Sequence, residues 1–358
     1  MFPHKNVSYK KIIPILLIIL ILIFFDLNIK AAFAKSNMIK NLTTQINDDY
    51  GKFGPFQVGY KTIENPLFWW GPDVKIFYPI NQPNPKNVIL FCHGFMALKS
   101  SYYREFINNM VSNGDVAVIY APYQVFSNFL IRQLTLWKGL ELGVETYEKK
   151  LNLDTSKIGV IGHSLGAGFC PKILHRAIID KGWGSQGSFM YAIQPYFVLG
   201  MNKSRWEQIP RSSKILIQVS DNDIYLDHNI AINDIWENLR NHPVDNKEYQ
   251  VLLSANNSSG SLDANHYMPT TNGLNSTLDC YDKWGVWRRA SALIHATFNN
   301  DLVANDLVFG HGTATELFMG RWLNNGRPVE GLITMDAPYS LNSDIASTNL
   351  SNRPKNYR

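Results

Sequence analysis

Cysteine is nearly absent from this chain. Three residues, Cys92, Cys170 and Cys280, are spread through 358. An odd count allows at most one internal disulfide, and the spacing matches no zinc-ligand pattern. Cys92 lies in an apolar run and Cys170 in a helix-like stretch, so one bridge or two inert buried thiols are both compatible with the sequence. Charge of either sign is also modest. The formal net charge is +5, and Lys5, Lys10, Lys11 and Lys30 against Asp26 supply three of those charges. The remainder, from Lys35 onward, is too weakly basic for a nucleic-acid footprint, so no nucleic-acid partner is expected. Internal repeats and low-complexity tracts are missing, which excludes solenoids and extended linkers.

Long hydrophobic runs are scarce as well. The longest, Ile12 to Phe25, is interrupted by Pro14 and is shorter than the roughly 20 residues that span a bilayer. Lys5, Lys10 and Lys11 precede it, and Ala32-Phe33-Ala34 follows with a small-x-small pattern. Residues 1–34 therefore read as a secretory signal cleaved near Ala34, which implies a secreted or periplasmic protein. The alternative is a retained N-terminal anchor, the only route by which membrane contact is expected. Sequons such as Asn41-Leu42-Thr43 and Asn275-Ser276-Thr277 matter only in a glycosylating host.

The rest of the chain has the 45% hydrophobic and 18% charged composition of a globular domain. One catalytic domain is expected over residues 35–340, followed by a polar, flexible tail at 341–358. Two short runs, Phe56 to Ile63 and Val74 to Tyr78, suggest an antiparallel pair. Beyond them, apolar runs alternate with helical patterns. The strand candidates are Val88–Cys92, Val116–Tyr120, Ile158–Ile161, Phe189–Ile193, Lys214–Val219 and Tyr249–Leu253. The helical stretches are Tyr102–Ser112, Ser127–Leu151, Leu165–Lys181, Asn229–Arg240 and Asp282–Phe298. Alternation of this kind predicts an α/β fold, with a mostly parallel central sheet and helices on both faces. Only about twenty residues separate Ile193 from Lys214, short for a helical lid, so no large lid domain and an open cleft are expected. Tyr196, Phe197, Trp206 and Phe95 could make that cleft apolar or could be ordinary packing.

One segment carries chemistry. Ile158 to Ile161 runs into Gly162-His163-Ser164-Leu165-Gly166, and a helical pattern follows. A serine on a sharp strand-to-helix turn needs small residues two positions to either side, and its Oγ is lifted to the carboxyl end of the sheet. Such a nucleophile needs a base, and the base an orienting carboxylate, arriving in the chain order Ser, Asp, His. Asp223 stands four residues past Val219 in the loop Ser220 to Tyr225, with Asp221 its close competitor. Asp227 reads as the start of the next helix. His266, in a polar loop after Leu253, is the base candidate, and His311 between two glycines is its rival. His228 and His242 flank what reads as a surface helix, His295 lies within a buried one, and His163 is locked in the turn. Two N–H groups should stabilise the oxyanion: that of Leu165, and that of Phe95 in the loop Cys92-His93-Gly94-Phe95.

Together these residues resemble the α/β-hydrolase superfamily, from Gly54 to about Phe298. Gly54-Pro55-Phe56-Gln57-Val58-Gly59, the His-Gly-Phe loop and Gly-His-Ser-Leu-Gly are most similar to its dienelactone-hydrolase-like branch, with cutinase-like and platelet-activating-factor-acetylhydrolase-like esterases. The resemblance implies ester hydrolysis through an acyl-enzyme, with Ser164, Asp223 and His266 as the triad and Phe95 and Leu165 as the oxyanion hole. It implies no metal and no organic cofactor. Its substrate would be a small-molecule, lipid or polymer ester. Peptidase and acyltransferase chemistry use the same triad, and a non-catalytic binding protein on such a scaffold would have lost the Ser or the His. Residues 301–339 extend past the usual final helix and have no assigned counterpart.

Overall fold

A computed structural model describes residues 42–46, 50–271 and 278–342. Residues 1–34 (read above as a secretory signal cleaved near Ala34), Asn41, the Asn275 sequon and residues 343–358 of the tail lie outside the described residues. No described helix is long and apolar enough to cross a membrane.

Eleven strands and eight α-helical segments follow one another along the described chain. The strands β1 (Val58–Ile63), β2 (Val74–Pro79) and β3 (Lys86–Cys92) precede helix α1 (Arg104–Ser112). Next come β4 (Val116–Tyr120), α2 (Phe129–Leu151), β5 (Leu153–His163), α3 (Leu165–His175), β6 (Gly187–Ile193) and the short α4 (Lys203–Glu207). Then β7 (Lys214–Ser220), α5 (His228–Asp234) and β8 (Lys247–Leu252) lead to a hairpin of β9 (Ala255–Asn257) and β10 (Gly260–Leu262). A helical run from Cys280 ends in α6 (Arg288–Phe298), followed by α7 (Leu302–Phe309), α8 (Ala314–Leu317) and β11 (Leu332–Thr334).

Nine strands form one sheet in the order β1-β2-β4-β3-β5-β6-β7-β8-β11. Strands β3 to β8 are mutually parallel, whereas β1, β2 and β11 pair antiparallel at the two edges. The fold is thus mixed α/β with a large, mostly parallel central sheet flanked by helices. All seven residues of β3 are buried, as a strand covered on both faces requires. Their side chains alternate. Ile89 and Phe91 join a core with Phe106, Met110, Trp287 and Leu293, whereas Val88, Leu90 and Cys92 join one with Leu136, Leu140, Phe169 and Ile173. Helices α1, α6 and α7 therefore cover one face, and α2, α3 and α5 the other. Each such fully buried side chain contributes roughly 1.5–3 kcal/mol.

Helix boundaries follow local chemistry. Asn128 caps α2 by accepting from the Ile131 N–H, and Asn152 ends it in the left-handed region at φ 54°. The stretch expected as one helix from Leu165 to Lys181 changes to a π turn at Arg176–Asp180, and the Cys280–Phe298 run contains another at Lys283–Trp287. The Asn229–Arg240 stretch is α5 followed by a 3₁₀ turn at Trp236–Leu239. Residues 301–339 wrap back to the sheet: β11 adds a ninth strand, pairing Leu332 with Leu252.

One expectation is corrected here, and one left open between cleft and packing is decided for two residues. The helix between His228 and His242 is not a surface helix bounded by exposed histidines. Both rings are buried, because each Nε2 meets a backbone carbonyl, that of Ser220 or of Ser213, which satisfies the imidazole without water. Phe197 and Trp206 do not line a cleft: both are core residues, since the segment after β6 folds down onto the sheet. All three cysteines are buried thiols, and none is in a disulfide among the described residues.

Candidate active site at the carboxyl ends of the strands

Ser164 sits between β5 and α3 with φ 56° and ψ −123°, a conformation a non-glycine residue adopts only when its surroundings impose it. Its N–H donates to the Ile193 carbonyl, and its own carbonyl accepts from the N–H groups of Tyr196 and Gly168. The flanking glycines are sterically required. A Cβ on Gly166 would lie 2.0 Å from the Cys92 carbonyl oxygen, and one on Gly162 would lie 2.3 Å from Cys170 Sγ. The turn is therefore wedged between the end of β3 and the first turn of α3. Ser164 itself is partly exposed, so a solute can reach Oγ.

His266 Nε2 lies 3.0 Å from Ser164 Oγ, and its Nδ1 lies 2.7 Å from Asp223 Oδ2. The three side chains come from loops after β5, β7 and β8, which the parallel sheet delivers to one edge. With a carboxylate at Nδ1, that nitrogen carries the proton and Nε2 accepts from the serine hydroxyl. Asp223 is 2% exposed, and its other oxygen accepts from the N–H groups of Tyr225 and Leu226. Both carboxylate oxygens are thus satisfied while buried.

The competing residues are elsewhere. Asp221 accepts from the Ser254 N–H and hydroxyl, tying β7 to β8, and makes no contact with His266. Asp227 caps α5 by accepting from the Asn229 N–H. His311 stands beside Glu248 and Asp336. His295 is partly buried on α6 against Tyr50.

Leu165 is the first residue of α3, and its N–H has no carbonyl within the helix to meet. Gly94 packs on Ser164: a Cβ there would lie 3.4 Å from Ser164 Cβ, which brings the loop bearing Phe95 alongside the serine. The Phe95 ring is half exposed, with the Arg132 guanidinium 5.0 Å from its centroid.

A buried polar scaffold under the site was not foreseen in these roles. His163 Nε2 lies 2.8 Å from the His266 carbonyl, and its Nδ1 lies 2.8 Å from the Tyr103 hydroxyl. A carbonyl only accepts, so Nε2 carries the proton and the Tyr103 hydroxyl donates to Nδ1. That hydroxyl in turn accepts from the Gly94 N–H, 3.0 Å away. Burial, then the neighbouring His266, hold His163 well below the ordinary histidine pKa, so the ring is neutral. One chain of bonds thus joins the loop of Gly94, the turn at Ser164 and the loop of His266. Gln194 donates to both Ser220 Oγ and the Asn265 carbonyl, linking the end of β7 to the base loop. Asn342 donates to the carbonyls of Asp223 and Leu226 and accepts from the His228 N–H, so the start of the tail is pinned to the acid loop rather than free. A histidine beside the elbow serine was a visible signal for the first of these; nothing in the spacing of Gln194 or Asn342 announces theirs.

No protein-family model matches the sequence, and no curated protein matches it.

Proposed function

We propose that the protein is a serine hydrolase with the α/β-hydrolase fold that cleaves carboxylic esters through an acyl-enzyme. The observation that carries this reading is the unbroken relay from Ser164 Oγ to His266 at 3.0 Å and from His266 to Asp223 at 2.7 Å. Its support is chemical: a strained serine at a helix start, a base with a fixed tautomer and a buried orienting carboxylate. The strand order β1-β2-β4-β3-β5-β6-β7-β8, with β2 antiparallel, and the descent of the acid and base from the loops after β7 and β8 favour the fold assignment.

In the proposed reaction, His266 Nε2 takes the Ser164 proton as Oγ attacks the ester carbonyl. Asp223, little exposed to water, stabilises the imidazolium that forms. The N–H groups of Leu165 and Phe95 meet the oxyanion. His266 then returns the proton to the departing alcohol, and water repeats the sequence to release the acid. Every proton and electron pair is handled by the chain and the substrate, so the reading calls for no metal or organic cofactor. The twenty residues between β6 and β7 hold only the five-residue α4, and Phe95, Met96, Phe126 and Leu130 are exposed. Those features favour an open site and an apolar small-molecule, lipid or polymer ester. Export through the segment 1–34, to a secreted or periplasmic location, belongs to the same proposal.

A fluorophosphonate probe tests the reading. The wild-type protein is expected to be labelled at Ser164 and to hydrolyse p-nitrophenyl esters, and Ser164→Ala to do neither. A folded wild-type protein that resists the probe and leaves short-chain esters intact refutes it.

A further inference from the structure

The rejected histidine has company of its own. Glu248, at the start of β8, is fully buried, and neither of its carboxylate oxygens makes a hydrogen bond of good geometry. Oε2 instead lies 3.0 Å from His311 Nδ1, and the same nitrogen lies 3.0 Å from Asp336 Oδ1. One nitrogen cannot direct a single proton along two such vectors. One donor atom from each of the three residues falls within 4.8 Å of the others, with Glu248 buried, His311 intermediate and Asp336 exposed. His311 Nε2 is likewise buried without a partner.

The surroundings hold this arrangement in place. Glu316, also buried, accepts from the Gly312 N–H and from Gln250 Nε2, which fixes the loop carrying His311 from both sides. The Met335 N–H donates to the Tyr249 carbonyl, which fixes the segment carrying Asp336 beside β8. Among the described residues, no lysine or arginine is bonded to Glu248, the most deeply buried of the three, which has beside it, apart from His311 Nδ1, the backbone of His311 and Tyr249.

We propose that Glu248, His311 and Asp336 form a binding site for a divalent transition-metal ion, of which zinc fits best. One imidazole and two carboxylates suit zinc, whereas calcium and magnesium favour all-oxygen sets. Tetrahedral zinc holds such ligands about 3.4 Å apart, so the two contacts of His311 Nδ1 at 3.0 Å would open by a few tenths of an ångström, with the two carboxylate oxygens already within 4.8 Å of each other. The exposed side of Asp336 leaves the fourth position to water. Glu248 stands at the amino end of its strand, whereas Ser164, Asp223 and His266 gather at the carboxyl ends. The ion is therefore structural, joining β8, the α7–α8 loop and the segment after β11, and it does not depend on the chemistry proposed at Ser164.

Full-length protein stripped with chelator and dialysed against zinc is expected to retain one ion per chain by elemental analysis. A hundredfold excess of zinc over its Kd should raise Tm by about 5 °C. Cobalt(II) in its place should give visible d–d absorption. Asp336→Asn alters an exposed side chain and keeps the fold, as circular dichroism will verify. It and His311→Gln are each expected to weaken zinc binding by roughly tenfold or more. No retained zinc in the wild-type protein, or wild-type affinity in either variant, overturns the proposal.

Discussion

Replacing either acid of the Ser220–Tyr225 loop by its amide separates two residues that differ by two positions in sequence and completely in surroundings. In Asp223→Asn, one side-chain oxygen can still accept from the N–H groups of Tyr225 and Leu226, so the loop should keep its shape. The other position becomes an NH₂ group facing His266 Nδ1, now 2.7 Å from a carboxylate oxygen. A donor there forces the imidazole proton onto Nε2, the nitrogen that must accept from Ser164, and removes the charge that stabilises the imidazolium. The expected loss in kcat is about 10⁴-fold, or ~5.5 kcal/mol of transition-state stabilisation. Asp221→Asn weakens only the bonds to Ser254, so activity should stay within about threefold, with a stability loss of roughly 1 kcal/mol. Steady-state p-nitrophenyl ester hydrolysis, with thermal unfolding as the fold control, reads both. Equal losses in the two variants, or a larger loss in Asp221→Asn, would refute the assignment of the acid.

Three further outcomes follow from burial. Arg289 is fully buried and donates to the carbonyls of Leu307 and Glu316; Arg289→Met strands those acceptors and should cost about 3 kcal/mol in urea unfolding. Burial pushes His93 down to about 4 and also lowers His163, His228 and His242, so below pH 6.5 the unfolded chain binds protons that the folded chain does not. The histidine contribution is complete above that pH and falls towards pH 4, with His93 alone accounting for roughly 3 kcal/mol, against an opposite slope from Glu248, which burial pushes up to about 9; a profile between pH 7 and 4.5 that His93→Gln leaves unchanged would contradict it. Cys92, Cys170 and Cys280 are buried thiols, so a disulfide-exchange reagent should titrate three thiols in denaturant and react only slowly with the native protein.

The features legible in the sequence are those with a local period or a local steric demand. Val116–Tyr120 is a strand over the same five residues in both readings, because an apolar run bounded by Asp115 and Pro122 has little freedom. The elbow was readable because a sharp turn at Ser164 demands small residues two positions to either side, even though the atom a Cβ on Gly166 would meet, the Cys92 carbonyl oxygen, lies far away in sequence. Strand β5 begins at Leu153, before the apolar run, because Asp154 to Lys157 stand at the sheet's partly exposed end, where burial does not select side chains. Loop position favoured Asp223 over Asp221 in sequence, but what distinguishes them physically is Ser254, just past the neighbouring strand. Strand β11 is three residues long, too short to show a period, and its pairing with β8 bridges some eighty residues. Asn342 belongs to the same class: its bonds to the acid loop follow from the path of the whole chain.

That bond also has a temporal side. A ribosome delivers β5, β7 and the His266 loop well before residue 342, so the nucleophile, acid and base can exist as chain before the acid loop has its clasp. The Asp223 loop is therefore fastened only after the strands that carry it have been synthesised. Until Asn342 arrives, the carbonyls of Asp223 and Leu226 lack the donors that hold them in the finished fold.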